Sequence, residues 1–166
     1  MTSVLKSPNP EFQAIVPAPG FRLGIRCDGD EIIEIEYLEP GPAQAPSSLL
    51  AAEAVRQIQA YLSDPDFIFS LPLRPAGTHF QRRVWDQISA IPPGHTRSYG
   101  ELATALHSAP RPVGGACGSN PYPLVIPCHR VVASGGGLGG FARERGGFLL
   151  EVKRWLLQHE AHGRQS

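Results

Sequence analysis

The chain has 166 residues, 42% of them hydrophobic, which is enough to bury a core as one domain or two small ones. No apolar run approaches the ~18 residues that a membrane-spanning helix needs, and MTSVLKSPNPEF at the N-terminus has no apolar signal core, so neither membrane insertion nor secretion is expected. The zero net charge hides a division: residues 1–76 carry 5 Lys+Arg against 10 Asp+Glu, and residues 77–166 carry the reverse together with all six histidines. A basic back half suits an anionic partner, nucleic acid being the obvious one, although chance surface composition accounts for the same imbalance on charge alone.

In chain order, the front half reads as β then α. Two extended runs, Phe21 to Asp28 and Glu31 to Leu38, flank an Asp28-Gly29-Asp30 turn and predict a β-hairpin. The second run alternates acidic with apolar residues, as a half-exposed strand does. Leu50 to Leu62 is expected to be helical, with Ala51, Val55, Ile58 and Leu62 inward, Ser47 or Ser48 as cap and Asp64-Pro65 as terminator. The proline-rich stretch 63–77 reads as a linker, which divides the chain into 1–76 and 77–166.

The back half opens on Thr78-His79-Phe80-Gln81, a capping box, with Phe80, Val84 and Ile88 at helical spacing and Ile91-Pro92-Pro93-Gly94 as the stop. Ser98-Tyr99-Gly100-Glu101 is a second capping box that starts a short helix to about His107. Arg111 to Gly118 is built almost only from small residues. Two short helices joined by a tight turn resemble a helix-turn-helix, and small residues would let a DNA backbone approach; tight helix–helix packing explains them equally well. Leu124-Val125-Ile126 looks like a buried strand leading into Pro127-Cys128-His129-Arg130. A glycine-rich loop, 135–147, precedes a last helix from Phe148 to about Glu160, with Leu149, Val152 and Leu156 inward.

A thiol attacks as its thiolate, and a free thiol near pKa ~8.5 is mostly protonated at neutral pH, so a neighbouring base is the usual remedy. Side chains adjacent on an extended chain point to opposite faces, so Cys128 and His129 can cooperate only where the backbone turns. Pro127 and Asn120 are the residues able to force that turn. A histidine base needs a third group to fix its tautomer, and Glu160, four residues after Leu156 on the inward stripe, is the candidate. A buried inert thiol at Cys128 and a solvated helix end at Glu160 remain open on the residues alone. Cys27, Cys117 and Cys128 are odd in number, with no C-x-x-C, so neither a disulfide framework nor a zinc knuckle is indicated and a reducing, cytosolic setting is expected.

IPCHRVV (126–132), preceded by SYGELA (98–103), RPVGGA (111–116) and Asn120-Pro121 and followed by KRWLLQHE (153–160), resembles the O6-alkylguanine-DNA alkyltransferase family, the methylated-DNA–protein-cysteine methyltransferases. The likeness runs from about Gly77 to Glu160; the front half matches in outline only. It implies an α+β fold: a small ribonuclease H-like α/β domain with the hairpin, then a mostly helical domain with a helix-turn-helix and the reactive cysteine. It implies a cytoplasmic, monomeric repair protein without metal or cofactor, whose partner is double-stranded DNA containing O6-alkylguanine. Cys128 would accept the alkyl group irreversibly. His129 would take its proton through a water, Glu160 would orient His129, and Asn120 would hold the turn. Tyr99 would donate to guanine N3 and Arg111 would fill the vacated base stack. Ser98, Pro112, Gly114 and Ala116 would complete the DNA-binding face, and Val131, Phe141 and Ala142 the base pocket. Two departures stand out: Pro112 replaces a common alanine, and the loop at 142–147 is about five residues longer than usual. A lesion-binding relative without transfer and a cysteine hydrolase are the alternatives.

Overall fold

The computed structural model describes residues 11–135, 137–138 and 147–163, and Phe141 and Ala142 therefore lie outside the described residues. The fold mixes sheet and helix. Strands β1 (Ala14–Ala18), β2 (Phe21–Asp28) and β3 (Glu31–Leu38) form an antiparallel sheet in that order. The hairpin of β2 and β3 has the expected bounds and turns at Gly29, whose φ is +62°. β1 was not expected. Its sequence AIVPA contains a proline, which lacks an N–H for the ladder and is tolerated because β1 lies at the sheet edge.

Helix α1 (Leu49–Ser63) packs on β1 and β2, capped by Ser48, whose hydroxyl accepts the N–H of Ala51. Its inward face is Ala51, Ala54, Gln57, Ile58 and Tyr61, rotated from the expected stripe: Val55 and Leu62 are only half-buried. The stretch 63–77 is no free linker. Ile32 donates to Pro72 O at 2.8 Å and Arg74 N donates to Ile32 O at 2.9 Å, so this segment lies along β3.

Helix α2 (His79–Ser89) and helix α3 (Tyr99–Ala105) both begin with complete capping boxes, at Thr78 and Ser98. Helix α4 (Pro110–Gly118) packs against both, and the turn before it passes through His107 at φ +55°. Trp85 of α2 donates its indole N–H to Ala116 O at 2.9 Å. The expected strand at Leu124-Val125-Ile126 does not form. Leu124 is buried at φ +79°, and the segment makes only an isolated bridge between Pro123 and Ile126. The chain then makes a 3-10 turn at Cys128–Arg130 and a two-residue strand, which we number β5 (Val131–Val132), parallel to β4 (Arg97–Ser98). Helix α5 (Phe148–Gly163) buries Leu149, Val152 and Leu156 as expected, and with them Lys153 and Glu160.

One core runs through both halves. Ile35 of β3 donates to Pro121 O at 2.9 Å, Tyr122 Oη donates to Arg74 O at 2.5 Å, and Phe21 meets Trp155 edge-to-face at 5.6 Å. Gly77, at φ +85°, closes the join to α2: a Cβ there would lie 2.6 Å from the Trp85 ring. Gly77→Ala is therefore expected to cost about 1–3 kcal/mol from the backbone alone, with the ring overlap adding to it, read as a lower urea midpoint.

Candidate active site

Two consecutive tight turns present the thiol. Pro127 lies at φ −80°, ψ 67°, and the Cys128 N–H reaches Ile126 O at 2.8 Å, an inverse γ-turn for which the proline ring presets φ. Arg130 N then donates to Pro127 O at 2.9 Å, closing the 3-10 turn. The backbone thus turns where cooperation between Cys128 and His129 requires it. Asn120 holds the approach. Its Nδ2 donates to Ile126 O at 2.9 Å and to Cys128 Sγ at 3.2 Å, while its Oδ1 accepts the N–H of Tyr122 at 2.8 Å.

Cys128, His129 and Glu160 are all buried. The thiol of Cys128 points its hydrogen at Cys117 O, 3.7 Å away. The neighbouring Cys117 thiol and burial push the Cys128 thiol upward, against the Asn120 amide and the Lys153 ammonium, so it rests protonated and needs a base. His129 Nε2 lies 2.7 Å from Glu160 Oε2. Burial holds the imidazole below its ordinary value of 6.5, opposed by Glu160, and it is neutral at neutral pH. An ionised carboxylate only accepts, so Nε2 carries the proton and Nδ1 the lone pair. Nδ1 is buried and has no hydrogen-bond partner among the described residues.

Glu160 accepts more than His129. Tyr61 Oη donates to Oε2 at 2.7 Å, Arg130 Nε to Oε1 at 2.9 Å, Arg130 Nη2 to Oε2 at 2.9 Å, and the Gly94 N–H to Oε1 at 3.4 Å. Burial alone would raise its pKa; the hydrogen bonds from His129 and Arg130, with the guanidinium charge of Arg130, instead hold it well below the ordinary 4.5. The remaining donor of Arg130, Nη1, reaches Ile91 O at 2.7 Å.

The other anticipated residues fall around this core. Tyr99 opens α3, half-buried, and burial together with the sulfurs of Cys117 and Cys128 holds its phenol protonated. Ser98 is occupied as the α3 cap. Arg111 and Pro112 are exposed in the first turn of α4, where Pro110 takes the first helical position. A Cβ on Gly114 or Gly115 would meet nothing within 4 Å, so internal packing does not require glycine there. Val113, Ala116 and Cys117 face the core instead, which removes Ala116 from the open face. Val131 is fully buried; its carbonyl accepts from Lys153 Nζ at 2.8 Å. Among the described residues no group of His, Cys, Asp or Glu is placed to hold a metal ion, and no helix is long and apolar enough to cross a membrane.

Three site residues were not singled out from sequence: Tyr61, Arg130 as a partner of Glu160, and Lys153. Lys153 also donates to Leu138 O at 2.6 Å, and burial pushes its ammonium down to about 8 against the pull of the two sulfurs. A charged residue on the inward stripe of α5, seven before Glu160, was a usable signal. Nothing local marks Tyr61.

A cysteine on a tight turn, backed by a buried histidine–carboxylate pair, thus lies beside a helix whose open face carries Arg111 and small residues. Residues 79–162 match the family model described as "6-O-methylguanine DNA methyltransferase, DNA binding domain". The chain is 39% identical over 158 residues to the methylated-DNA–protein-cysteine methyltransferase of Haemophilus influenzae, across 90% of this chain and 86% of that one. It is 42% identical over 138 residues to the regulatory protein Ada of Salmonella typhimurium, where the match covers 81% of this chain but 38% of the relative's length. Among solved structures, Mycobacterium tuberculosis OGT in complex with DNA is similar, with a TM-score of 0.76, 33% identity and coverage of 90% and 92% of the two chains. The chain belongs to the 6-O-methylguanine DNA methyltransferase family.

Both depressed groups tie stability to pH with one sign. Above pH 6.5 both contribute fully. As pH falls below 6.5, the unfolded chain takes up the proton that buried His129 resists, and below 4.5 the same holds for Glu160. Urea midpoints should therefore drop progressively on acidification. Arg130→Met should cost about 3–5 kcal/mol at neutral pH by leaving the carboxylate unpaired, and this loss should shrink in acid, where Glu160 of the variant can protonate.

Proposed function

We infer that this chain repairs DNA by direct reversal: it accepts the alkyl group of O6-alkylguanine, and less readily of O4-alkylthymine, onto Cys128. The observation that carries the reading is the buried His129–Glu160 pair at 2.7 Å on the residue that follows a cysteine, with the Asn120 amide on the sulfur. His129 Nδ1 takes the thiol proton through a water. The sulfur attacks the alkyl carbon, the S–C bond forms, the C–O6 bond breaks, and its electron pair returns to the guanine ring. Tyr99 offsets the developing charge by donating to guanine N3. The thioether product has no acidic proton and no easy leaving group, so each chain acts once.

A base stacked in a duplex hides its O6 edge, so the nucleotide must be swung out at a cost of a few kcal/mol. Arg111 fills the gap that is left, and its charge also answers phosphate. The open space over Gly114 and Gly115 supports close approach of a DNA backbone to α4. In this reading α3 and α4 form a helix-turn-helix that docks in the minor groove and reads shape and phosphates, because a lesion occurs in any sequence context. Residues 77–166 form the DNA-binding, alkyl-accepting domain, and residues 1–76 a ribonuclease H-like domain. The backbone of Cys128 and Val131 contacts the extruded base; the calls on Phe141 and Ala142 fall outside the described residues. The protein works as a monomer in the cytoplasm, on the nucleoid.

Mixing the protein with duplex DNA containing O6-methylguanine should add a single methyl group to the peptide holding Cys128, seen by mass spectrometry. Binding without added mass would make the protein a lesion binder, and more than one product per chain would make it a hydrolase. Cys128→Ser should abolish transfer while keeping DNA affinity. Arg111→Ala should slow repair in duplex far more than reaction with free O6-benzylguanine, and equal losses on the two substrates would rule out stack filling.

A further inference from the structure

We propose that Tyr61, from the front half of the chain, is a positioning residue for alkyl transfer: its hydroxyl fixes Glu160 as a proton-free acceptor and so fixes which nitrogen of His129 is the base. The proposal rests on Cys128 and His129 being acceptor and base. Tyr61 lies 99 residues before Glu160 in sequence, yet its Oη donates to Glu160 Oε2 at 2.7 Å. The same oxygen receives His129 Nε2 at 2.7 Å and Arg130 Nη2 at 2.9 Å. Three donors crowd one carboxylate oxygen. A proton passing from the imidazole to that oxygen would have to displace one of them, so the proton stays on Nε2 and the lone pair stays on Nδ1.

The hydroxyl has little freedom to turn away. The Tyr61 ring is 1% exposed, lies 5.7 Å from Phe69 and meets His159 edge-to-face at 5.1 Å; its own carbonyl accepts from His159 Nε2 at 2.8 Å. Burial and the adjacent carboxylate keep the phenol protonated at any working pH, so Tyr61 is a constant donor and not a switch. The titratable neighbours are few. Facing Glu160 are Tyr61 from α1 and His129 and Arg130 from the 3-10 turn, with Tyr37 of β3 in its field. Arg130 and Lys153 of α5 also act on His129, and Cys117 of α4 acts on Cys128. Among these, Tyr61 is an uncharged donor to Glu160. Its removal changes the carboxylate's hold on the imidazole without removing a charge.

Stripped of the hydroxyl, Oε2 becomes more basic and draws the imidazole proton more strongly, which favours the imidazolium form. His129 of Tyr61→Phe should therefore titrate at higher pH than in the parent chain, and the acid limb of the transfer rate should move up with it. A hydrogen bond to a charged group is worth about a tenfold change in an equilibrium, so transfer should slow by up to about tenfold on the acid side of the limb and little well above it. The slowing should be the same on duplex O6-methylguanine and on free O6-benzylguanine, because the step affected is deprotonation and not base extrusion. DNA affinity should not change.

The experiment compares the full-length parent, Tyr61→Phe, Glu160→Gln and the double variant by pH–rate profile, and follows the His129 ring by nitrogen-15 NMR titration. Loss of the Tyr61→Phe shift in the Glu160→Gln background supports action through the carboxylate. An unmoved acid limb and an unmoved ring titration overturn the proposal, even if the variant is less stable. A fluorinated tyrosine installed at position 61, of similar shape but a stronger donor, should move the acid limb and the ring titration to lower pH; it decides the matter if Tyr61→Phe does not fold. If the parent chain itself transfers no alkyl group, the preceding reading of Cys128 fails, and the ring titration still judges Tyr61.

Discussion

The structure of the site depends on one carboxylate taken out of water. Glu160 is 1% exposed and ionised, which would be untenable without donors to replace its hydration. Arg130 supplies charge and two N–H groups, and Tyr61, His129 and Gly94 supply the rest. The four donor residues come from three separate parts of the chain: Tyr61 from α1, His129 and Arg130 from the 3-10 turn after Pro127, and Gly94 from the turn before β4. Satisfying the carboxylate therefore draws these segments together around α5. The carboxylate orients His129, which burial keeps neutral against its pull, beside a thiol that rests protonated.

Much of this was legible from residues. Both capping boxes, the hairpin, the start of the last helix and the inward stripe leading to Glu160 follow from local rules of spacing and hydrogen bonding, and they appear where those rules put them; the helix runs three residues past its expected end. What local rules could not give was placement decided by distant partners. Pro17 disguised β1, because edge position, which excuses a proline, is a property of the whole sheet. Leu124-Val125-Ile126 is apolar because it is buried, not because it is a strand; Asn120 and Pro127 impose turns that override its β propensity. Tyr61 gave no sign of its role because its partner lies 99 residues away. The adjacency of Cys128 and His129 made them candidates for acceptor and base, and its conflict with strand geometry called for the turn that the chain makes there.

The charge division and the contacts between the halves are different matters. The acidic front half meets the back half through hydrogen bonds to backbone carbonyls, from Ile35 N to Pro121 O and from Tyr122 Oη to Arg74 O, and through the Phe21–Trp155 ring contact. Arg26 pairs with Glu34 and Glu36 within the sheet itself, so much of the front acidity is spent locally. Of the basic residues in the back half, Arg130 and Lys153 are buried in the site, while Arg111 is exposed at the start of α4. The front half acts as a brace whose Tyr61 and Ile35 reach the Glu160 and Asn120–Pro121 ends of the site.

Lys153 holds the carbonyls of Val131 and Leu138, while Glu160, two turns further along α5, holds His129. One helix therefore carries both registrations, and a slip of α5 by a single residue would undo them together.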